Sequence, residues 1–352
     1  MTDTREIQPS DSEPSEAASF QLSGFLLAIG SAASFAVSGI FASALMTVGW
    51  SPGAAAMARI GFAALVLAAP TAIMLRGSWH LVRRAWAQVL LFGTLAVAAC
   101  QLAFFIAVQF IAPSLALLIE FMGPVLLLLY VWVRSRIAPS ALTLLGAAVA
   151  VLGLVAIAGL VGGETLHPLG VIFGLIAAVG AAAYFAIGAN ADHGIPPLPF
   201  VGLGLGVAAV ILALVTATGL LPFEVSNAPT RIAGAEVPVW AAVVGLVLIS
   251  TVLSYLLGVM ASRRLGATVA SFTGYSEPMF GILWTIVLLS IMPSGMQWLG
   301  AALIIAGVVL VKVGELRTAR KRARAQASAQ TSAQTSEVST GHGSAPARML
   351  KS

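Results

Sequence analysis

Long apolar runs alternate along the chain with short clusters of turn formers and charge. A helix crosses the bilayer hydrocarbon with about 20 apolar residues. On that measure ten segments qualify, at 21–45, 52–75, 88–111, 113–133 and 139–161, then 169–190, 198–220, 237–261, 267–291 and 295–313. The cuts fall at turn formers such as Trp50-Ser51-Pro52-Gly53, Gly162-Gly163, Gly194-Ile195-Pro196-Pro197 and Pro293-Ser294-Gly295. No run shows the period of two that a membrane barrel strand needs. The expected fold is therefore an all-α integral membrane bundle of ten transmembrane helices.

Composition removes the soluble alternatives. Of 352 residues, 59% are hydrophobic and 9% charged, and mean hydropathy is +0.99. Soluble domains carry about 25% charged residues, so soluble enzymes and nucleic-acid modules are excluded. The single cysteine, Cys100, excludes an intramolecular disulfide framework.

Lys and Arg then orient the bundle, because short cytoplasmic loops retain them. Arg5 precedes span 1; Arg76, Arg83 and Arg84 follow span 2; Arg134 and Arg136 follow span 4. Arg263 and Arg264 follow span 8, and Lys312, Arg317, Arg320, Lys321, Arg322 and Arg324 follow span 10. With ten helices all of these share one side, and the opposite loops hold only Arg231. Both termini are thus expected in the cytoplasm, with the protein in the cytoplasmic (inner) membrane. Residues 1–20 and the tail after 325, polar and poor in apolar residues, read as disordered. The basic run Arg317–Arg324 reads as an orientation anchor or as a contact for anionic lipids. No folded basic face for nucleic acid is visible.

The chain also repeats itself. A shift of 154 residues carries Pro124 onto Pro278, Ile137-Ala138-Pro139-Ser140 onto Ile291-Met292-Pro293-Ser294, and Leu145-Gly146-Ala147-Ala148 onto Leu299-Gly300-Ala301-Ala302. A shift of 150 carries Gly24 onto Gly174, Gly30 onto Gly180, and Ala32–Ala36 onto Ala182–Ala186. Two repeats of five helices follow, at 21–161 and 168–313, flanked by cytoplasmic tails at 1–20 and 314–352. Five is odd, so the second repeat inserts upside down. Such inverted repeats place a ligand near the bilayer midplane and support alternating access. Gly146, Gly153, Gly300, Gly307 and the pairs Gly170/Gly174 and Gly202/Gly206 read as close helix packing.

Certain motifs carry a family resemblance. They are Pro52-Gly53 leading to Ala58-Arg59, Glu120-Phe121-Met122-Gly123-Pro124, Ser250-Thr251 with Tyr255, Glu277-Pro278, and the closing 297–307 stretch Gln-Trp-Leu-Gly-Ala-Ala-Leu-Ile-Ile-Ala-Gly. On these the chain resembles the drug/metabolite transporter (DMT) superfamily, of EamA type, and its threonine/homoserine exporter branch. The resemblance implies two five-helix EamA repeats and export of amino acids or similar metabolites. Relatives often carry Gly-Glu in the turn after span 9, whereas here the stretch is Leu289-Ser290-Ile291-Met292-Pro293. No role for that carboxylate transfers.

Only Arg59, Glu120 and Glu277 keep formal charge deep inside spans. Each costs at least ~2.5–3.5 kcal/mol at a helix centre and so needs a partner or a wet cavity. An Arg59–Glu120 pair is one arrangement, an interhelical tether for Arg59 another; for the two glutamates the choice is ligand or proton handling against a structural bond. Pro124 removes the donor to the Glu120 carbonyl, and Pro278 the donor to that of Gly274. Those two carbonyls are equivalent under the 154 shift, so matched helix breaks point at a central cavity. Gln101 and Tyr255 are equivalent under the same shift, as are Phe121 and Tyr275. These residues, with Tyr184, Phe35 and Trp284, line the cavity or pack around it.

The sequence thus predicts a secondary exporter of small amphipathic metabolites, with protons as a further partner. Its alternatives are a carrier of drug-like or nucleotide-type metabolites and a membrane scaffold. No nucleotide loop, cofactor motif or metal cluster is present in the sequence. His80, His167, His193 and His342 fall in predicted loops or the tail, and no nucleophile has a base at helical spacing. An enzyme is not expected.

Overall fold

The computed structural model describes residues 13–158, 167–289 and 292–341. The predicted tail residues 1–12 and 342–352, with His342, lie outside the described residues, as do the Gly162-Gly163 turn and residues 290–291 that close predicted span 9.

The chain is almost wholly helical. The first five predicted spans become α1 (Glu13–Ala36) with α2 (Ser38–Met46), α3 (Pro52–Met74), α4 (Trp79–Leu91) continued through a π-helical segment Phe92–Ala99 into α5 (Cys100–Ala107), α6 (Pro113–Glu120) with α7 (Gly123–Ser135), and α8 (Ala141–Ala158). The second five become α9 (Pro168–Gly188), α10 (Pro197–Ala217), α11 (Val239–Val247) continued through π-helical Leu248–Leu253 into α12 (Ser254–Leu265), α13 (Ala267–Thr273) joined by a 3-10 turn Gly274–Ser276 to α14 (Glu277–Leu289), and α15 (Gly295–Gly341).

Eight helices among the described residues are long and apolar enough to cross a membrane. The other two predicted spans fall short for identifiable reasons. The described part of α8 is 18 residues, and its apolar stretch Ala141–Ile157 is shorter still. The break before Pro278 divides predicted span 9 into α13 and α14, so neither piece suffices alone. Large apolar side chains face outward over the whole bundle, among them Leu65, Leu152, Val210 and Val287. Helices that are apolar all round suit hydrocarbon rather than water.

The repeat is visible in the local irregularities. Shifting 94–99 by 154 lands on the second π-helical segment, Leu248–Leu253, and shifting Phe121-Met122 lands on Tyr275-Ser276 in the 3-10 turn. Packing repeats too. α8 lies along α15 and α3 along α10, while α1 meets α12 as α9 meets α5, and α1 meets α13 and α14 as α9 meets α6 and α7. Exchanging the two halves of the chain returns these pairings.

Glycines hold α8 and α15 close. A Cβ on Gly146 would stand 2.6 Å from Val311 N and 2.7 Å from Gly307 O, and one on Gly300 would stand 2.6 Å from Gly153 O. Gly170 and Gly174 abut Ile111 and Ile119, and Gly202 abuts Thr71. Gly206 meets nothing within 4 Å, so its expected packing role is corrected: it faces open space.

Three further differences from the sequence reading stand out. α1 is helical from Glu13, and α15 continues to Gly341. Both stretches read as disordered in the sequence; the second is rich in Ala and Gln, good helix formers. His80 lies in the first turn of α4, which begins earlier than predicted span 3. A hairpin, β1 (Thr230–Ile232) with β2 (Ala235–Val237), occupies the connection before α11, where no strand was expected. Ala233 and Gly234 both have positive φ, 53° and 77°, as a two-residue turn matching strand twist requires. The preceding loop caps the start of α3: the Ser51 hydroxyl donates to Pro222 O at 2.7 Å and accepts from Ala54 N at 3.2 Å.

Candidate functional site

The helix breaks sit around a chamber. Its inner part, with an empty volume of about 890 Å³, lies between α1, α5, α9, α12 and the two broken spans, and is lined by Gln101, Glu120, Pro124, Tyr184, Tyr255, Tyr275 and Glu277. An outer vestibule of about 1440 Å³ shares Phe35, Gln101, Glu120, Phe121 and Glu277 with it and adds Arg59 and Pro278. Arg59, Gln101, Glu120, Pro124, Tyr184, Tyr255, Tyr275, Glu277 and Pro278 thus all line one or both of these adjoining spaces. Their walls are mainly apolar with a few convergent polar groups, as in small-molecule sites.

Local structure explains the placement. Glu120 is the last residue of α6, where the helix stops one turn before Pro124; Glu277 is the first residue of α14, directly after the 3-10 turn. Both carboxylates therefore flank the helix breaks that the two repeats share. Broken backbone is tolerated inside a membrane where protein or a wet cavity surrounds it. The Cys100 thiol donates to Glu120 Oε1 at 3.4 Å and lies at the same distance from Ala177 O on α9. This hydrogen bond was not anticipated. The 154 shift carried the signal, since it maps Cys100 onto Ser254, immediately before the matched Gln101 and Tyr255.

Arg59 corrects the expected ion pair. Its guanidinium lies over the Phe35 ring, 4.8 Å from the centroid, and its Nε and Nη2 are buried without a hydrogen-bond partner. Among the described residues the guanidinium rests on Phe35 and closes no ion pair with Glu120.

Aromatic rings build the walls. Tyr184 meets Tyr255 edge-on at 5.4 Å, and its hydroxyl donates to Tyr255 O at 3.4 Å. Phe35 lies 6.1 Å from Tyr255. Phe121 and Tyr275, equivalent under the repeat, touch edge-to-face at 6.3 Å and 85°, which sets them beside the axis relating the halves. Tyr275 is 0% exposed, and its hydroxyl has no partner. Trp284 does not line the chamber; its Nε1 donates to Ala33 O at 2.9 Å and ties α14 to α1. Asn190 lies just past the end of α9, and its Oδ1 accepts from Asp192 N at 2.9 Å. Of the basic run, Arg317 is exposed, and side chains from 319 onward lie outside the described residues.

A multi-pass helical bundle with a polar-spotted chamber between two repeats defines a membrane transport protein. The family model of the EamA-like transporter family matches residues 22–159 and again 168–313, and the chain belongs to that family. It is similar to the "Uncharacterized inner membrane transporter YicL" of Salmonella typhimurium (strain LT2), at 24% identity over 236 residues, covering 66% of this chain and 75% of that protein. A solved crystal structure of another protein matches with a TM-score of 0.65 at 19% identity, over 84% of this chain and 98% of that one, a likeness of fold alone. The family points to a membrane transporter rather than an enzyme.

Proposed function

We propose that the protein is a secondary exporter of amino acids or closely related small metabolites, of the threonine/homoserine exporter branch, working by alternating access in the cytoplasmic membrane. The observation that carries this reading is the meeting of one guanidinium with open donors, Arg59, and two carboxylates, Glu120 and Glu277, on one chamber. A zwitterion satisfies the guanidinium and one of the two carboxylates, leaving the other glutamate for a proton. Its carboxylate takes the Nε and Nη2 donors of Arg59, and its ammonium takes Glu120 or Glu277. Its apolar part lies against Phe35, Phe121 and Tyr184. A proton competing with the ammonium for a glutamate would couple export to proton entry.

The proposed architecture keeps ten crossings as two inverted five-helix repeats, with α8 and the broken α13–α14 pair as the crossings beyond the eight long helices, and with both termini cytoplasmic. Support comes from the exchange of contacts between repeats and from the basic residues that gather on one side. The vestibule reaches the end of α2 and the starts of α3 and α6 through Met46, Pro52 and Pro113, and the inner part reaches Ala28, Gly258 and Ala261.

The test is exchange from proteoliposomes loaded with a metabolite mixture and read by mass spectrometry. Saturable exchange of a few amino acids, lost in Glu120→Gln and in Arg59→Gln, is expected. Normal exchange in both variants refutes the site; exchange of drug-like or nucleotide-type solutes alone refutes the substrate class.

A further inference from the structure

A groove on the face behind Glu277 takes no part in the transport route proposed above. It runs between α1, α14 and α15, bounded by Phe25, Ile29, Met279, Leu283, Trp298 and Ile305, with an empty volume of about 1160 Å³. It opens outward: Leu283, Trp298 and Ile305 are 43%, 58% and 53% exposed. Its hydroxyls ask nothing of an occupant. Thr273 Oγ1 donates to Val269 O and Ser276 Oγ to Thr273 O, both at 2.8 Å and both along their own stretch of chain. Such a groove would leave the polar groups of an amphipathic solute unmatched and suits a hydrocarbon chain.

The groove also has a charged end. On α15, Trp298, Ile305 and Val309 follow the helical period along one face, and Lys312 continues that face one turn on. From 298 to 309 the helix rises about 16 Å at ~1.5 Å per residue, close to one leaflet's share of a ~30 Å hydrocarbon layer. Lys312 Nζ sits 5.2 Å from the centroid of the Phe25 ring. On the other flank of α1, Arg264 Nη1 donates to Ser23 Oγ at 2.6 Å, with its guanidinium 5.4 Å from the Phe20 ring. Cations therefore bracket this end of α1. Glu315, whose charge acts on Lys312, lines a separate pocket against α7 and α8 with Ser140 and Thr143.

We propose that the groove is a binding site for one anionic phospholipid, with an acyl chain laid along α14 and α15 and the headgroup phosphate at Lys312. The lipid fills the space behind the 3-10 turn and so steadies the helix that begins with Glu277. The site is distinct from the exposed basic run that starts at Arg317.

The test uses the full-length protein in detergent, offered equal phosphatidylglycerol and phosphatidylcholine, with retained lipid counted by native mass spectrometry. Wild type is expected to retain one phosphatidylglycerol in preference by about five-fold, the equivalent of ~1 kcal/mol for one surface cation. Lys312→Gln brings the ratio to about one, and Lys312→Arg keeps it. Ile305→Trp fills the groove and lowers retention of both lipids in a protein whose charge is unchanged. The pair Arg317→Gln and Arg320→Gln leaves the ratio intact. Equal retention by wild type overturns the proposal, as does a preference that survives Lys312→Gln and disappears in the Arg317/Arg320 pair.

Discussion

The contact between α8 and α15 gives a prediction whose size follows from the geometry. Replacing Gly146 by alanine puts a Cβ 2.6 Å from Val311 N and 2.7 Å from Gly307 O; replacing Gly307 puts one 2.6 Å from Ala150 N and 2.7 Å from Gly146 O. The nearest atoms are largely backbone, which cannot swing aside. Ordinary contact begins at 3.4 Å, so the helices must part by about 0.8 Å. A gap of that order forfeits roughly a quarter to a half of each dispersion contact along the seam, and overpacking of this kind costs typically ~1–3 kcal/mol. Alanine's better helix propensity, ~0.8–1 kcal/mol, offsets only part of it. Gly206 supplies the control, because a Cβ there meets nothing within 4 Å and only the propensity gain remains. Thermal unfolding in detergent, followed by tryptophan fluorescence, should place Gly146→Ala and Gly307→Ala below wild type and Gly206→Ala at or above it. Equal melting of Gly146→Ala and Gly206→Ala would refute the seam.

Three further outcomes are expected. A Cβ on Gly258 meets the Tyr184 hydroxyl and the Ser31 hydroxyl, so Gly258→Ala should push Tyr184 into the chamber and depress transport; adding Tyr184→Phe should restore part of the rate, and purely additive losses in the double variant would refute the contact. The Cys100 thiol lines both chambers, so a small cationic thiosulfonate should block transport in wild type and leave Cys100→Ser active. Equal block of both proteins would show that the reagent acts elsewhere. His193 is 3% exposed, with its ring stacked on Phe200 at 5.1 Å and Nε2 without a partner. Burial, and then the charge of Arg263, hold its imidazole below the ordinary value. On acidification the unfolded chain protonates first, near ~6.5, so stability should fall as pH drops below that value, until the folded imidazole protonates as well. Chemical denaturation across pH 5–7.5 should show a shallower slope for His193→Gln, and an unchanged slope would assign the effect to other groups.

Much of this molecule was legible because hydrocarbon is a demanding solvent. Length and apolarity mark most of the helices, and the 154 shift located the broken backbone at Pro124 and Pro278. It equally maps one π-helical segment onto the other, although nothing in composition announces a π turn. Glu120, Glu277, Gln101, Tyr184, Tyr255 and Tyr275 were singled out for their polarity or their repeat equivalence, and all stand on one chamber.

Sequence by itself determined the membrane class, the repeat and the positions of the helix breaks, because these follow from local chain chemistry: apolar length, a missing proline donor, a glycine without Cβ. Only the tertiary structure decided which side chains meet. It set Arg59 over Phe35 rather than on Glu120, gave Glu120 the Cys100 thiol, turned Trp284 onto the Ala33 carbonyl and left Gly206 facing open space. Those outcomes depend on the rotation and crossing of helices distant in sequence, and a helix that is apolar all round carries little periodicity from which its facing side can be read.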